Sequence, residues 1–361
     1  MQALKKSVNS AVTMPVRSAK SEVELQSYFP KFLFEISYRG SSFKIVLIRM
    51  MQILIRAMIW VFLRPRKGPI GTLDSNEVND VYSREAPTYD WKHHMTTHGH
   101  DTLWRREAGW KVLSYARERT GTVHVLDLCT GTGLCVEEMI SVMSEMPDLR
   151  VQIVGVDYNI DMLDLARRRR SSDHDEQVTF LHGDATKLTD PTARFQGLYS
   201  FSEKSFEMVT QVFGIGGINE PRKVFGEVLK LLVSAGRYCL IDMHQPILNQ
   251  PGTFFCWFRA PLFEAITYRE TTIPLALKRL WGWRDTTQDF YILPLITYID
   301  ANGVCWGFRV LDFDVKSEQW WLGLPLMTIG NIIVEKVQIQ EEEMLKRQHL
   351  LNVFEEYFIS L

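Results

Sequence analysis

The sequence predicts an α/β fold, and three observations carry that reading. Val125–Leu128 is an apolar run broken by one acid, Asp127. The turn Cys129-Thr130-Gly131-Thr132-Gly133 follows, and Leu134–Ser144 then carries apolar residues at helical spacing. The same order recurs downstream, with strands at Val151–Val156, Val178–His182, Ser205–Gln211 and Arg237–Ile241 and helices at Met162–Arg170 and Arg222–Leu232. Two last apolar runs, Phe308–Asp314 and Leu326–Val334, form a terminal antiparallel hairpin. Together these elements make a Rossmann-like, seven-stranded, mostly parallel sheet with helices on both faces.

A chain of 361 residues has room for one such domain with extensions. Its formal net charge of −2 gives no general basic surface, so no nucleic-acid partner is expected. The five cysteines (Cys129, Cys135, Cys239, Cys256, Cys305) are odd in number and lack metal-ligand spacing. A disulfide between Cys129 and Cys135 would strain the glycine turn, so all five read as thiols of a reducing, intracellular compartment. His93, His94, His98 and His100 cluster without a cysteine or carboxylate that completes a ligand set, and no metal is assigned to them.

The first 67 residues read differently from the rest. Met1–Ser21 holds Lys5, Lys6, Arg17 and Lys20, several Ser and Thr, and no acid. The basic segment over 1–43 is either a mitochondrial presequence or a basic tail, and the first alternative places the protein at the mitochondrial inner face in a eukaryote. Residues 44–67 are the most hydrophobic stretch, with Arg49, Gln52 and Arg56 on one narrow helical stripe. As a spanning helix, two arginines cost roughly 5–7 kcal/mol at mid-bilayer, against about 0.3–0.6 kcal/mol gained per large apolar residue. Those sums nearly cancel. An amphipathic helix lying in the membrane surface, arginines towards headgroups and Trp60 and Phe62 buried, costs less. Pro65 and Pro69-Ile70-Gly71 then break it into a linker.

The glycine turn narrows the ligand. A dinucleotide fingerprint needs a third glycine where Val136 stands, and a phosphate loop needs Gly-Lys-Ser/Thr, which is absent. The pattern Asp127-x-x-x-Gly131-x-Gly133 resembles the glycine loop of class I S-adenosylmethionine (SAM) methyltransferases, although unrelated α/β proteins carry similar turns. Asp157 ends the second strand, where a carboxylate can accept both hydroxyls of a ribose.

Upstream, Val81, Tyr82, Ala86, Tyr89 and Asp90, followed by Leu103-Trp104, resemble the opening of the UbiE-like ubiquinone/menaquinone C-methyltransferases. The resemblance implies a catalytic domain over 78–337 in which this segment is a lid, with Tyr82 and Tyr89 near the methionyl end of SAM. It implies further that Asp127, Thr130, Gly131, Gly133, Tyr158, Asp184, Ala185 and Gln211 contact the cofactor. The resemblance also implies that Phe213–Asn219 lies at the sheet edge beside the reacting methyl group. The family carries Arg-Asn where this chain has Gly216-Gly217.

His244 stands just past the fifth strand, where an imidazole can take a proton, and Tyr89 and His244 are the candidate catalytic residues. The insertion over 245–300 is rich in Trp and Phe, which suits a lipophilic small-molecule substrate or a membrane-facing mouth. Residues 338–361 form an amphipathic helix that either covers the core or makes a homodimer contact. Three functions compete: methylation of a prenylated quinone precursor, methylation of a phospholipid amine or secondary metabolite, and a SAM-binding scaffold without turnover.

Overall fold

Five parallel strands, β1 (Val123–Leu128), β2 (Val151–Asp157), β3 (Val178–His182), β4 (Phe206–Val212) and β5 (Leu232–Met243), make the first part of a single sheet. Antiparallel strands β6 (Thr297–Ile299), β7 (Cys305–Trp321) and β8 (Leu324–Gln338) complete it, in the order β3-β2-β1-β4-β5-β8-β7-β6. The structure, a computed structural model, describes residues 75–97, 99–117, 119–170, 177–244, 286–321 and 324–359. The basic N-terminal segment, the amphipathic stretch 44–67 and residues 245–285 of the aromatic insertion lie outside the described residues. Among those described, no helix is long and apolar enough to cross a membrane.

Helices α1 (Ser75–Glu85), α2 (Tyr89–Thr97) and α3 (His100–Ala116) precede the sheet; α4 (Leu134–Met143), α5 (Ile160–Arg170) and α6 (Pro221–Leu231) connect its parallel strands. Alternation along each strand splits the core into two layers. Tyr238 and Leu240 of β5 and Ile332 and Val334 of β8 face the layer holding α6. Cys239, Ile241 and Ile333 face the opposite layer, with α3 and α4.

Three expectations change. The sheet has eight strands rather than seven, because Thr297–Ile299 pairs with Cys305–Gly307 at the edge. Strand β5 starts at Leu232, not Arg237. Ser234, Ala235 and Gly236 belong to the strand and make a bulge in it, with Ala235 at φ 57° and a register shift opposite Phe206 and Met208. The terminal hairpin is about twice its expected length.

Of the last segments, α7 (Thr287–Ile292) and the turn Leu293–Leu295 pack in the α6 layer. The described part of α8 (Glu341–Ile359) covers the core: Met344 is buried, Leu351 packs on the α6 layer, and Arg347 donates to the carbonyls of Pro294 and Phe308.

The glycine turn is pinned from both sides. Gly133 starts α4 at φ +82°, and a Cβ there would lie 3.1 Å from the Cβ of Ala166 and 3.3 Å from the ring of Phe180. Gly133→Ala is expected to destabilise the fold by about 1–3 kcal/mol, through left-handed strain plus that contact. Urea unfolding followed by circular dichroism measures it, and an unchanged midpoint would refute the packing described.

Candidate active site

The carboxyl ends of β1 to β4 open onto a cleft with a mouth open to solvent. Its floor is the glycine turn. Gly131 has φ +56° and open space where a Cβ would stand, so a ligand can lie on bare backbone there. Asp157 braces the turn: one carboxylate oxygen accepts from the Gly131 N–H at 2.8 Å, and the other from the Asn159 N–H at 2.8 Å. Burial raises the pKa of Asp157, while those backbone donors pull it back towards the ionised form.

The charge of the lining is one-sided. Asp157, Asp184 and Glu220 contribute carboxylates, and the described lining residues include no lysine, arginine or histidine. Lys187 stands 3.7 Å from Asp184 and Lys223 2.6 Å from Glu220, whereas Asp157 has no cationic partner among the described residues. Such a cleft disfavours the phosphates of a dinucleotide or a nucleotide triphosphate. It fits a nucleoside bearing a sulfonium cation, with acids left over for hydroxyl and amino groups.

The lid closes the other side. Tyr82 of α1 and Tyr89 of α2 line the cleft with ring centroids 6.3 Å apart. Burial pushes the Tyr89 phenol up to about 12 and Tyr82 well above its ordinary value, so both are neutral hydrogen-bond donors at pH 7. Polar clasps hold the lid: Thr132 donates to Asp90 at 2.5 Å, Arg169 pairs with the same carboxylate, and Asn159 donates to the Asn79 side chain at 2.7 Å and to Ser83 at 2.9 Å.

Behind Tyr89 the rings of His93, Phe213 and Trp104 stack in series, with His93–Phe213 at 5.2 Å and Phe213–Trp104 at 5.5 Å. His93 Nδ1 faces Asp101 at 3.4 Å, and Asp101 also pairs with Arg105 and accepts from Thr97 at 2.9 Å. Burial lowers the pKa of His93, and the neighbouring His93 and Arg105 hold Asp101 well below the usual carboxylate range despite its own burial. The imidazole is therefore neutral.

Of the residues marked from sequence, Tyr82, Tyr89, Gly131, Asp157, Tyr158, Asp184 and Ala185 line the cleft. Asp127, Thr130, Gly133, Gln211 and His244 are not among its described lining residues. Asp127 is 1% exposed and accepts from Thr130 at 2.6 Å and Thr210 at 2.7 Å, contacts that hold the turn to the sheet. Gln211 donates to the Cys129 sulfur at 3.3 Å and accepts from the Tyr238 hydroxyl.

His244 is buried, with Nε2 3.0 Å from the Tyr291 hydroxyl and its ring among Phe290, Tyr291 and Phe313. With its ring engaged there and outside the described lining of the cleft, it gives no support to the role of general base drawn from its place in the sequence. Cys129, Asn79 and Met162 also line the cleft. Cys129 and Phe213 both have φ 58°, a backbone usually left to glycine, and no sequence pattern marks it.

Replacing Asp157 with Ala is expected to weaken SAM binding tenfold or more, about 1.5–3 kcal/mol of lost charged hydrogen bonding. Titration calorimetry reads this directly, and undiminished affinity would remove Asp157 from the site. A second expectation concerns acid. Because the folded pKa of His93 is lowered, the unfolded chain binds its proton first as pH falls below about 6.5, and stability drops. His93→Gln should flatten the thermal midpoint over that window; a profile identical to the parent's would contradict it.

Comparison with known proteins agrees with this geometry. The model of the ubiE/COQ5 methyltransferase family matches residues 71–265. The demethylmenaquinone methyltransferase of Renibacterium salmoninarum is 27% identical over 201 residues, covering 56% of this chain and 73% of that one. The Deinococcus radiodurans protein of the same name is 30% identical over 178 residues, covering 49% and 65%. That of Clavibacter sepedonicus is 29% identical over 170 residues and covers 47% and 59%, so the chain spans less than two thirds of some of its relatives. Among solved structures, phosphoethanolamine N-methyltransferase 1 of Haemonchus contortus aligns at 15% identity and a TM-score of 0.48, covering 80% of this chain and 55% of that one. With the family model matching more than half of its length, the chain belongs to the ubiE/COQ5 methyltransferase family, a family of SAM-dependent methyltransferases.

Proposed function

We propose that this protein transfers the methyl group of SAM to a lipophilic small molecule, and that the acceptor is a prenylated quinone precursor. One observation carries the reading: a cleft that joins a cation-seeking floor around Asp157 to an aromatic wall of Tyr82, Tyr89 and Phe213. The names of the relatives, demethylmenaquinone methyltransferases, support the same acceptor class.

SAM, when bound, supplies an electrophilic methyl carbon on a sulfonium leaving group. Asp157 accepts the ribose hydroxyls, Asp184 meets the amino group of the base, and the Gly131 backbone supports the rest. Tyr82 and Tyr89, neutral at working pH, donate to oxygens of the acceptor and keep water out of the reacting end. Neither phenol is a base near pH 7. The hydrophobic stretch 44–67 supports collection of the acceptor at a membrane surface.

A second reading has its own support. The bare Gly216-Gly217 pair stands where quinone C-methyltransferases carry Arg-Asn, which favours a different lipophilic acceptor such as a phospholipid amine. Incubating the purified protein with methyl-labelled SAM and a membrane lipid extract, with and without demethylmenaquinone, tests both. Label in the quinone is the expected result. Label in another lipid would transfer the proposal to the second reading, and SAM binding without any labelled product would leave a binding scaffold.

A further inference from the structure

The turn after β4, Phe213–Gly217, sends Phe213, Gly214 and Gly217 into the cleft lining. Gly217 carries no side chain, so there the turn meets an acceptor with backbone alone, and the buried Gly216 behind it adds none. Glycine backbone holds a position only if something fixes it. Two contacts do so. A Cβ at Gly214 would stand 2.5 Å from the Cβ of Cys129, so the start of the turn rests tightly on the glycine loop of β1.

The second contact is Asp242, which is 5% exposed near the end of β5. One of its carboxylate oxygens accepts from the Ile215 N–H at 3.1 Å, and the other from the Met243 N–H at 2.7 Å. The Gly216 N–H also favours the ionised carboxylate. Among the described residues no lysine or arginine forms an ion pair with Asp242, so backbone donors are what hold its charge. The side chain is thus a brace between the last parallel strand and the turn at the reacting end.

We propose that Asp242 is a positioning residue for methyl transfer, its carboxylate holding the Ile215 and Gly216 amides so that the glycine turn presents a fixed backbone to the acceptor. The inference rests on the acceptor lying at that end of the cleft, as in the function proposed above. It places with Asp242 a task that the Gly216-Gly217 pair has no side chain to perform.

The brace depends on charge. An ionised carboxylate accepts from donors on both oxygens, whereas a protonated one must donate from one of them and gives up part of its hold. Burial first, and then the like charge of Asp289 on α7, raise Asp242 to about 7. The other titratable groups facing it are Tyr82 of α1, Tyr89 of α2, Cys129 beyond β1 and Tyr238 of β5, all with raised pKa values and so neutral. Arg222 of α6 faces Asp289, and the His244 ring, two residues on, is engaged by Tyr291. Opposite Asp242 on β8 is Gly330, which carries no charge. The turn is therefore held above pH 7 and loosens below it.

Amide hydrogen exchange over residues 213–219, corrected for intrinsic rates between pH 6 and 8, tests the brace without any acceptor. The expected protection rises severalfold as pH climbs through about 7. It is flat and low in Asp242→Asn, and shifted to lower pH in Asp289→Asn, which removes the repelling charge. Turnover of detergent-solubilised demethylmenaquinone should follow the same curve in kcat, with Asp242→Asn lowering kcat about tenfold and leaving SAM affinity within twofold. Protection that is equal in parent and Asp242→Asn at every pH overturns the proposal, and so does an equal loss of SAM affinity and kcat. If Asp242→Asn does not fold, an unshifted profile in Asp289→Asn overturns it alone. A parent protein inactive on the quinone would defeat the acceptor assignment, while the exchange profile would still decide the brace.

Discussion

A carboxylate hidden at the end of β1 sets the position of everything that meets a ligand. Asp127 takes a hydrogen bond from Thr130 inside the glycine turn and another from Thr210 on the neighbouring strand, and so fastens the turn to the sheet. Burying an acid is costly unless its oxygens are satisfied, and desolvation does raise its pKa. The two hydroxyls offset that cost and leave the turn in one conformation. Gly131 then presents its N–H to Asp157, and Gly133 starts α4. Remove the fastening and the floor of the cleft has no fixed shape.

The lid is ordered by similar means, but its charges are sealed inside. Asp101, Arg105, His93 and Thr97 form a buried cluster under Phe213 and Trp104. An ion pair at such depth gives little net stability compared with apolar packing, because both partners are desolvated. It does impose a single arrangement, since breaking one partner away leaves the other charge uncompensated. Tyr89 rests against His93, so the wall of the cleft inherits that arrangement.

Much of this was legible in the chain itself, for physical reasons. Short apolar runs read as strands, and Val178–His182 appears in the structure with those same ends even though, at the edge of the sheet, it is only half-buried. The acid closing β2 lines the cleft because the carboxyl edge of a parallel sheet is where its connections open. What sequence did not show depends on backbone or on distant packing. The start of β5 was hidden because Ala235 adopts a glycine-like conformation and puts a bulge between Leu232 and Arg237. His244 lies one residue past the strand, so its direction is set by Phe290, Tyr291 and Phe313, which no local pattern connects to it. Thr210 and Gln211 diverge as neighbours in a strand must, one to Asp127 and the other to Cys129 and Tyr238.

The unbalanced charge around Asp157 also bears on how a catalytic cycle ends. Once a methyl group departs from a sulfonium, the sulfur left behind is an uncharged thioether. A hollow with Asp157 in it, unpaired with any cation among the described residues, attracts the spent molecule less than the fresh one. Discharge of the by-product is thereby eased by the same acid that favoured capture.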